Sequence, residues 1–176
     1  MTKKGVTTMK KTINHIIKQA LGSSADYKEL SLKKARKIAK IIEDQYNFST
    51  KIELAGNYTY SNKIVFYFHD KINRKKDDNP NIEFEILISE RGAIATFICR
   101  LKNESATRGT LWEFAEMENW PKFLVVLKDE FSKILSREKL HVVNDDELLQ
   151  AEAQGHLTEL DGVQANMFEV LFGEVI

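Results

Sequence analysis

The stretch from Ile82 to Leu101 limits what this chain can fold into more than any other part of it. Glu90-Arg91-Gly92-Ala93 can close a two-residue turn, with Arg91 and Gly92 as the loop and Gly92 taking a positive φ. That turn fixes a register. Ile88 then faces Ala95, Ile86 faces Phe97, Phe84 faces Cys99 and Ile82 faces Leu101, and all four pairs are apolar. On the other face Glu85 meets Ile98, and Glu83 meets Arg100 as an opposite-charge pair. A one-residue slip would set glutamates against core residues, so the pattern specifies one pairing.

A hairpin of this kind needs further strands and a covering layer. The flanking sequence offers both. Met9, Ile13, Ile16, Ile17, Ala20 and Leu21 recur at helical spacing, with Gly22 as the stop. A second helix begins at Ser31 as N-cap and buries Leu32, Ala35, Ala39, Ile42 and Tyr46, with Ile38 and Ile41 widening the stripe. From Phe48 the period changes to two. Lys51–Leu54 and Lys63–Asp70 read as strands separated by a Gly56-Asn57 turn, and residues 71–81 read as a solvated loop. Thr110-Leu-Trp-Glu113 has capping-box spacing and predicts a short helix to Glu118. Asn119 and Pro121 predict the start of a longer helix whose stripe is Leu124, Leu127, Phe131, Ile134 and Leu135. Leu140–Val143 predicts a brief strand, and Asn144–Glu147 caps a helix ending near Gly155. Leu157–Leu160 predicts a last strand and Ala165–Phe172 a terminal helix.

The expected architecture is therefore α+β. It has an antiparallel meander of four to five strands, two N-terminal helices and several C-terminal helices over one face. Residues 1–8 read as a disordered, lysine-bearing tail and 9–176 as a single domain, since no Pro/Gly/Ser-rich linker divides the chain. At 176 residues such a domain buries roughly 70% of its unfolded surface. One cysteine excludes an internal disulfide. The longest apolar runs are far below the roughly 20 residues that span a bilayer. The expected location is cytoplasmic, away from membranes, and the lysine and asparagine richness suits a bacterial or phage protein.

The net charge of zero conceals a polarity. Residues 1–51 hold 12 Lys/Arg against 4 Asp/Glu, and residues 109–176 hold 5 against 14. Either the two ends pack together and neutralise, or each forms a face for a charged partner. On the basic side Lys33, Lys34, Arg36, Lys37 and Lys40 share one helical face, and phosphates are its natural counter-charge. On the acidic side stand Glu113, Glu116 and Glu118, then Asp145, Asp146 and Glu147.

No catalytic set emerges from these residues. Cys99 lies on the apolar face of the hairpin, where a thiol is inert. His15, His69, His141 and His156 lack metal-pair spacing, and Asp145-Asp146-Glu147 lacks the alternation and glycine of a calcium loop. The glycines are isolated, so no phosphate loop is present. No cofactor or metal is expected. Trp112 and Trp120 read as core, or as interface anchors if exposed. The expectation is a non-enzymatic protein-interaction module, of the kind of a bacterial immunity protein, antitoxin or phage inhibitor, whose acidic face covers a basic partner. The alternatives are a nucleic-acid-associated protein using the basic helix, and an enzyme with a dispersed site.

Overall fold

A computed structural model describes residues 15, 17–18, 27–56, 59–68, 82–105, 109–158 and 161–173. The expected tail at 1–8, most of the first helix, Asn57, His69 and the loop 71–81 lie outside the described residues. His15, Ile17 and Lys18 are helical, with Ile17 fully buried and Lys18 exposed, on the sides their spacing assigns.

Helix α1 (Lys28–Tyr46) buries Ala35, Ile38, Ala39 and Ile42, the stripe its three- and four-residue spacing sets. It begins earlier than expected. Ser31 sits inside the first turn, where its hydroxyl donates to the Lys28 carbonyl at 2.8 Å and accepts from Asn62 Nδ2 at 2.8 Å. A buried partner on the sheet therefore claims the side chain that would have capped the helix. Asn47 ends α1 in the left-handed region, φ 55°.

Strands β1 (Lys51–Glu53), β2 (Ser61–Phe68), β3 (Ile82–Ser89), β4 (Ile94–Ser105) and β5 (Gly109–Phe114) form an antiparallel meander in that order. The hairpin register is the expected one, from Ile82↔Leu101 through Glu83↔Arg100 to Ile88↔Ala95. Its turn is not. Gly92 is absent from the positive-φ glycines of the described chain, which are Gly155, Gly162 and Gly173. Glu90 N–H donates instead to the Tyr60 carbonyl, and the Ala93 carbonyl accepts from His141 N–H. Tertiary partners open the loop, while the apolar pairs and the Glu83–Arg100 ion pair hold the register.

Two expectations fail at the far edge of the sheet. Residues 109–114 are strand β5 rather than a helix, with Arg100↔Phe114 and Lys102↔Trp112 in register. The long C-terminal half of β4 presents an unpaired edge, and pairing it outweighs a local capping box worth about 1 kcal/mol. Only a 3₁₀ turn, Met117–Asn119, follows. In addition, β6 (His141–Val142) joins β4 in parallel at Ile94 and Ala95, giving six strands.

Helix α2 (Lys122–Arg137) starts after Pro121 without a side-chain cap from Asn119, and it buries Leu124, Phe131, Ile134 and Leu135. Helix α3 (Asp146–Gln150) is capped by Asp145, not Asn144, through a 3.2 Å bond from Leu148 N–H to Oδ1. It stops at Gln150 because β7 (Glu152–Leu157) and β8 (Gln164–Asn166) pair as a separate hairpin. The last helix, α4 (Met167–Phe172), carries a full capping box between Asn166 and Glu169.

Helices cover both faces of the sheet, not one. Helices α1 and α2 pack on the face of Ile64, Phe66, Phe84, Ile86 and Cys99. Phe131 is at its centre, 5.3 Å from the Phe66 ring and 5.4 Å from Tyr46. On the opposite face Leu87, Ile94 and Ile98 meet Ile17, Leu149, Leu171 and Phe172. Every residue of β3 is consequently buried, Glu83 and Glu85 included.

Candidate functional site

The meander leaves one window in its edge. β6 runs beside β4 only at Ile94 and Ala95, and β5 only from Arg100 to Ser105. Among the described residues no strand accompanies Thr96–Cys99 on that side. The chain leaving β5 and the chain leaving β6 diverge there and enclose a groove of about 750 Å³. Thr96, Phe97, Ile98 and Cys99 line it from the sheet.

The groove gathers carboxylates from three separate segments. Glu116 and Glu118 come from the turn after β5, Asp146 from the start of α3 and Glu169 from α4. No lysine or arginine is among its described lining residues. Between the acids lie the apolar side chains of Phe114, Met117, Leu149 and Phe168. Trp120 closes one end, buried against Phe84 in an edge-on contact of 5.5 Å, with Nε1 donating to the Ala115 carbonyl at 2.8 Å. It is a core residue. Trp112 is half-buried on β5.

Three of the six expected acids thus meet at one place. Glu113 and Glu147 are exposed away from the groove lining, and Asp145 serves as the α3 cap. Glu169 was not among the acids expected, although Asn166-Met-Phe-Glu169 has capping-box spacing. Its Oε2 accepts from Asn166 N–H at 2.8 Å, which fixes the carboxylate at the groove.

A second polar cluster lies next to the groove. Arg100 Nη1 stands 2.7 Å from Glu83 Oε1 and 2.7 Å from Glu85 Oε1, and Lys63 Nζ stands 3.5 Å from Glu85 Oε2. The Phe114 ring covers the Arg100 guanidinium at 4.8 Å and lines the groove as well. Glu85 has a side-chain exposure of 1%, and neither of its oxygens receives a well-directed hydrogen bond. Burial, with the Glu83 carboxylate beside it, pushes its carboxyl up to about 7 against the pull of Arg100 and Lys63. Cys99, on the face covered by α1 and α2, is pushed up to about 12 by burial and stays a thiol at neutral pH.

The basic helix face is divided. Lys33, Arg36 and Lys40 are exposed. The Lys34 ammonium donates to the Glu138 carbonyl, and Lys37 pairs with the Glu138 carboxylate at 2.8 Å. Part of the chain's charge polarity is therefore neutralised where α1 meets the end of α2. His15 and His141 are exposed, and no group of three or more metal-ligating side chains occurs among the described residues. Among the described residues no helix is long and apolar enough to cross a membrane.

No family model, no curated protein and no solved structure matches the chain.

Proposed function

We propose that this protein is a non-enzymatic protein-interaction module that receives a basic segment of its partner in the groove beside β4. One observation carries the reading. Four carboxylates from three distant stretches of sequence line a single groove with an apolar floor, and no cation balances them within its described lining. A groove so lined presents negative charge to solvent, and a lysine- or arginine-bearing partner supplies the complement. The apolar floor gives that partner somewhere to bury side chains, which is where most binding energy resides. An immunity protein, antitoxin or phage inhibitor that occupies the basic active site of a toxin or nuclease is the biological role such a surface fits best.

The test is affinity capture with purified wild-type protein and with a Glu116→Lys/Glu118→Lys/Asp146→Lys variant. The wild type is expected to retain a basic protein that the variant loses. A control reversing Glu130 and Asp129 on the exposed side of α2 should keep it. A partner held equally by all three proteins contradicts the reading.

The nucleic-acid reading rests on Lys33, Arg36 and Lys40, whose exposed positions on α1 leave them available to phosphates. Lys34 and Lys37 favour it less, because both already contact Glu138. Heparin or DNA binding that persists at physiological salt would support it over the acidic groove.

A further inference from the structure

We infer that the partner segment enters the groove in extended form and adds as a short strand to β4 at Phe97. The inference rests on the groove reading above and specifies how the groove is used.

The main chain of β4 gives the reason. Val143 N–H donates to the Ala95 carbonyl at 2.9 Å, His141 N–H to the Ala93 carbonyl at 2.8 Å, and Ala115 N–H to the Cys99 carbonyl at 2.9 Å. The carbonyls of residues 93, 95 and 99 therefore all point to this edge. In an antiparallel ladder a residue turns its N–H and C=O to the same side, and the side alternates along the strand. Phe97, two residues from Ala95 and from Cys99, turns both of its main-chain groups to the same edge. No described strand stands there to meet them.

The Phe97 and Cys99 side chains belong to the core on the opposite side of the backbone plane from Ile98. What Phe97 contributes to the groove is thus its peptide groups. The window Thr96–Cys99 spans about 13 Å, room for roughly four extended residues. One bridging residue of the partner would satisfy the Phe97 N–H and C=O. Its neighbours would place cationic side chains against Glu116, Glu118, Asp146 and Glu169, and apolar ones against Met117 and Phe168. Strand addition of this kind draws affinity from main-chain hydrogen bonds and specificity from the side chains that alternate about them. The charge complement selects a lysine- or arginine-bearing segment of a partner, and a second copy of this chain, which offers its own basic residues 1–51, is the competing occupant that the self-association measurement separates.

The experiment pans a displayed library of random dodecapeptides against the protein and follows the best binder by amide hydrogen exchange. The expected peptides alternate lysine or arginine with apolar residues and weaken about tenfold or more on Glu116→Lys/Glu118→Lys. Exchange of the Phe97 amide should slow by about tenfold at saturation. N-methylation of one peptide bond should abolish binding, and methylation of the bonds flanking it should not. Peptides that need the carboxylates but leave Phe97 exchange unchanged, and that tolerate methylation everywhere, overturn strand addition while the groove reading stands. Selected peptides without basic residues, or insensitive to the charge reversal, overturn both. Concentration-dependent self-association that protects Phe97 without peptide makes a second copy the occupant and overturns the inference.

Discussion

Glu85 and Cys99 each have a measurable consequence. A carboxyl held at about 7 in the folded protein, against an ordinary 4.5, keeps its proton over a range where the unfolded chain has lost it. The folded state then binds more protons than the unfolded state between those values. Stability from this group is fully present below about pH 4.5 and is lost as pH rises through 7. Thermal unfolding is expected to show a Tm that falls between pH 5 and pH 8. Glu85→Gln, which mimics the neutral acid, should flatten that fall by an amount on the order of 2–3 kcal/mol. An unchanged pH profile in the variant would contradict the assignment. Arg100→Met leaves the Glu83 carboxylate without its guanidinium and Glu85 with Lys63 alone, and it should destabilise by roughly 3–5 kcal/mol at pH 8 and by less at pH 5. Cys99, fully buried and with its thiol pushed up to about 12, should react with an aromatic disulfide reagent only as fast as the protein unfolds. Prompt reaction in native buffer would show that the helix-covered face opens locally. The burial of Cys99 was legible in the sequence, because the hairpin pairs it with Phe84. The burial of Glu85 was not, since the alternation of β3 marks the glutamate face as solvent and only tertiary cover reverses that.

The secondary-structure elements divide by how local their causes are. The β3–β4 register could be read residue by residue because four apolar pairs and one ion pair agree on it. The α2 stripe was legible for the same reason, its apolar period being unbroken from Leu124 to Leu135. β5 was not legible. Its Thr110-x-x-Glu113 pattern argues for a helix, and only the free edge of β4, met from Ser105↔Gly109 to Arg100↔Phe114, argues for a strand. The groove inherits that difficulty, because Glu116 and Glu118 leave the sheet from β5 and would sit elsewhere if 109–114 were helical. On the other side of the groove α4 depends on its capping box. Asn166→Ala should cost about 1 kcal/mol. The substitution removes the Oδ1 that accepts from Glu169 N–H, so amide exchange should rise first at Met167–Glu169, and partner affinity should weaken because the first turn that carries Glu169 frays. Stability equal to wild type would mean the cap contributes nothing to holding the groove.

The whole molecule is a sheet between two apolar layers, and this arrangement determines where charge can go. The α1–α2 layer is large and aromatic, and its cations are partly held by Glu138. Phe131→Ala at its centre should destabilise by roughly 3–5 kcal/mol without a direct effect on the groove, which lies across the sheet edge. The acidic C-terminal third was legible as a charge excess. Its concentration into a groove was not, because Glu116, Asp146 and Glu169 meet only through the pairing of β6 with β4 and through the small β7–β8 hairpin; Leu140–Val143 reads as a strand, but nothing in its residues names β4 as a parallel partner. The central claim is that this groove attracts and holds a basic partner. The measurement that tests it most directly is the association rate constant of the captured partner, by stopped flow, as a function of ionic strength. For wild type the rate should fall by about tenfold or more from 10 mM to 150 mM salt, and for the Glu116→Lys/Glu118→Lys/Asp146→Lys variant it should be slow and nearly salt-independent. Equal rates and equal salt dependence in the two proteins would contradict the account.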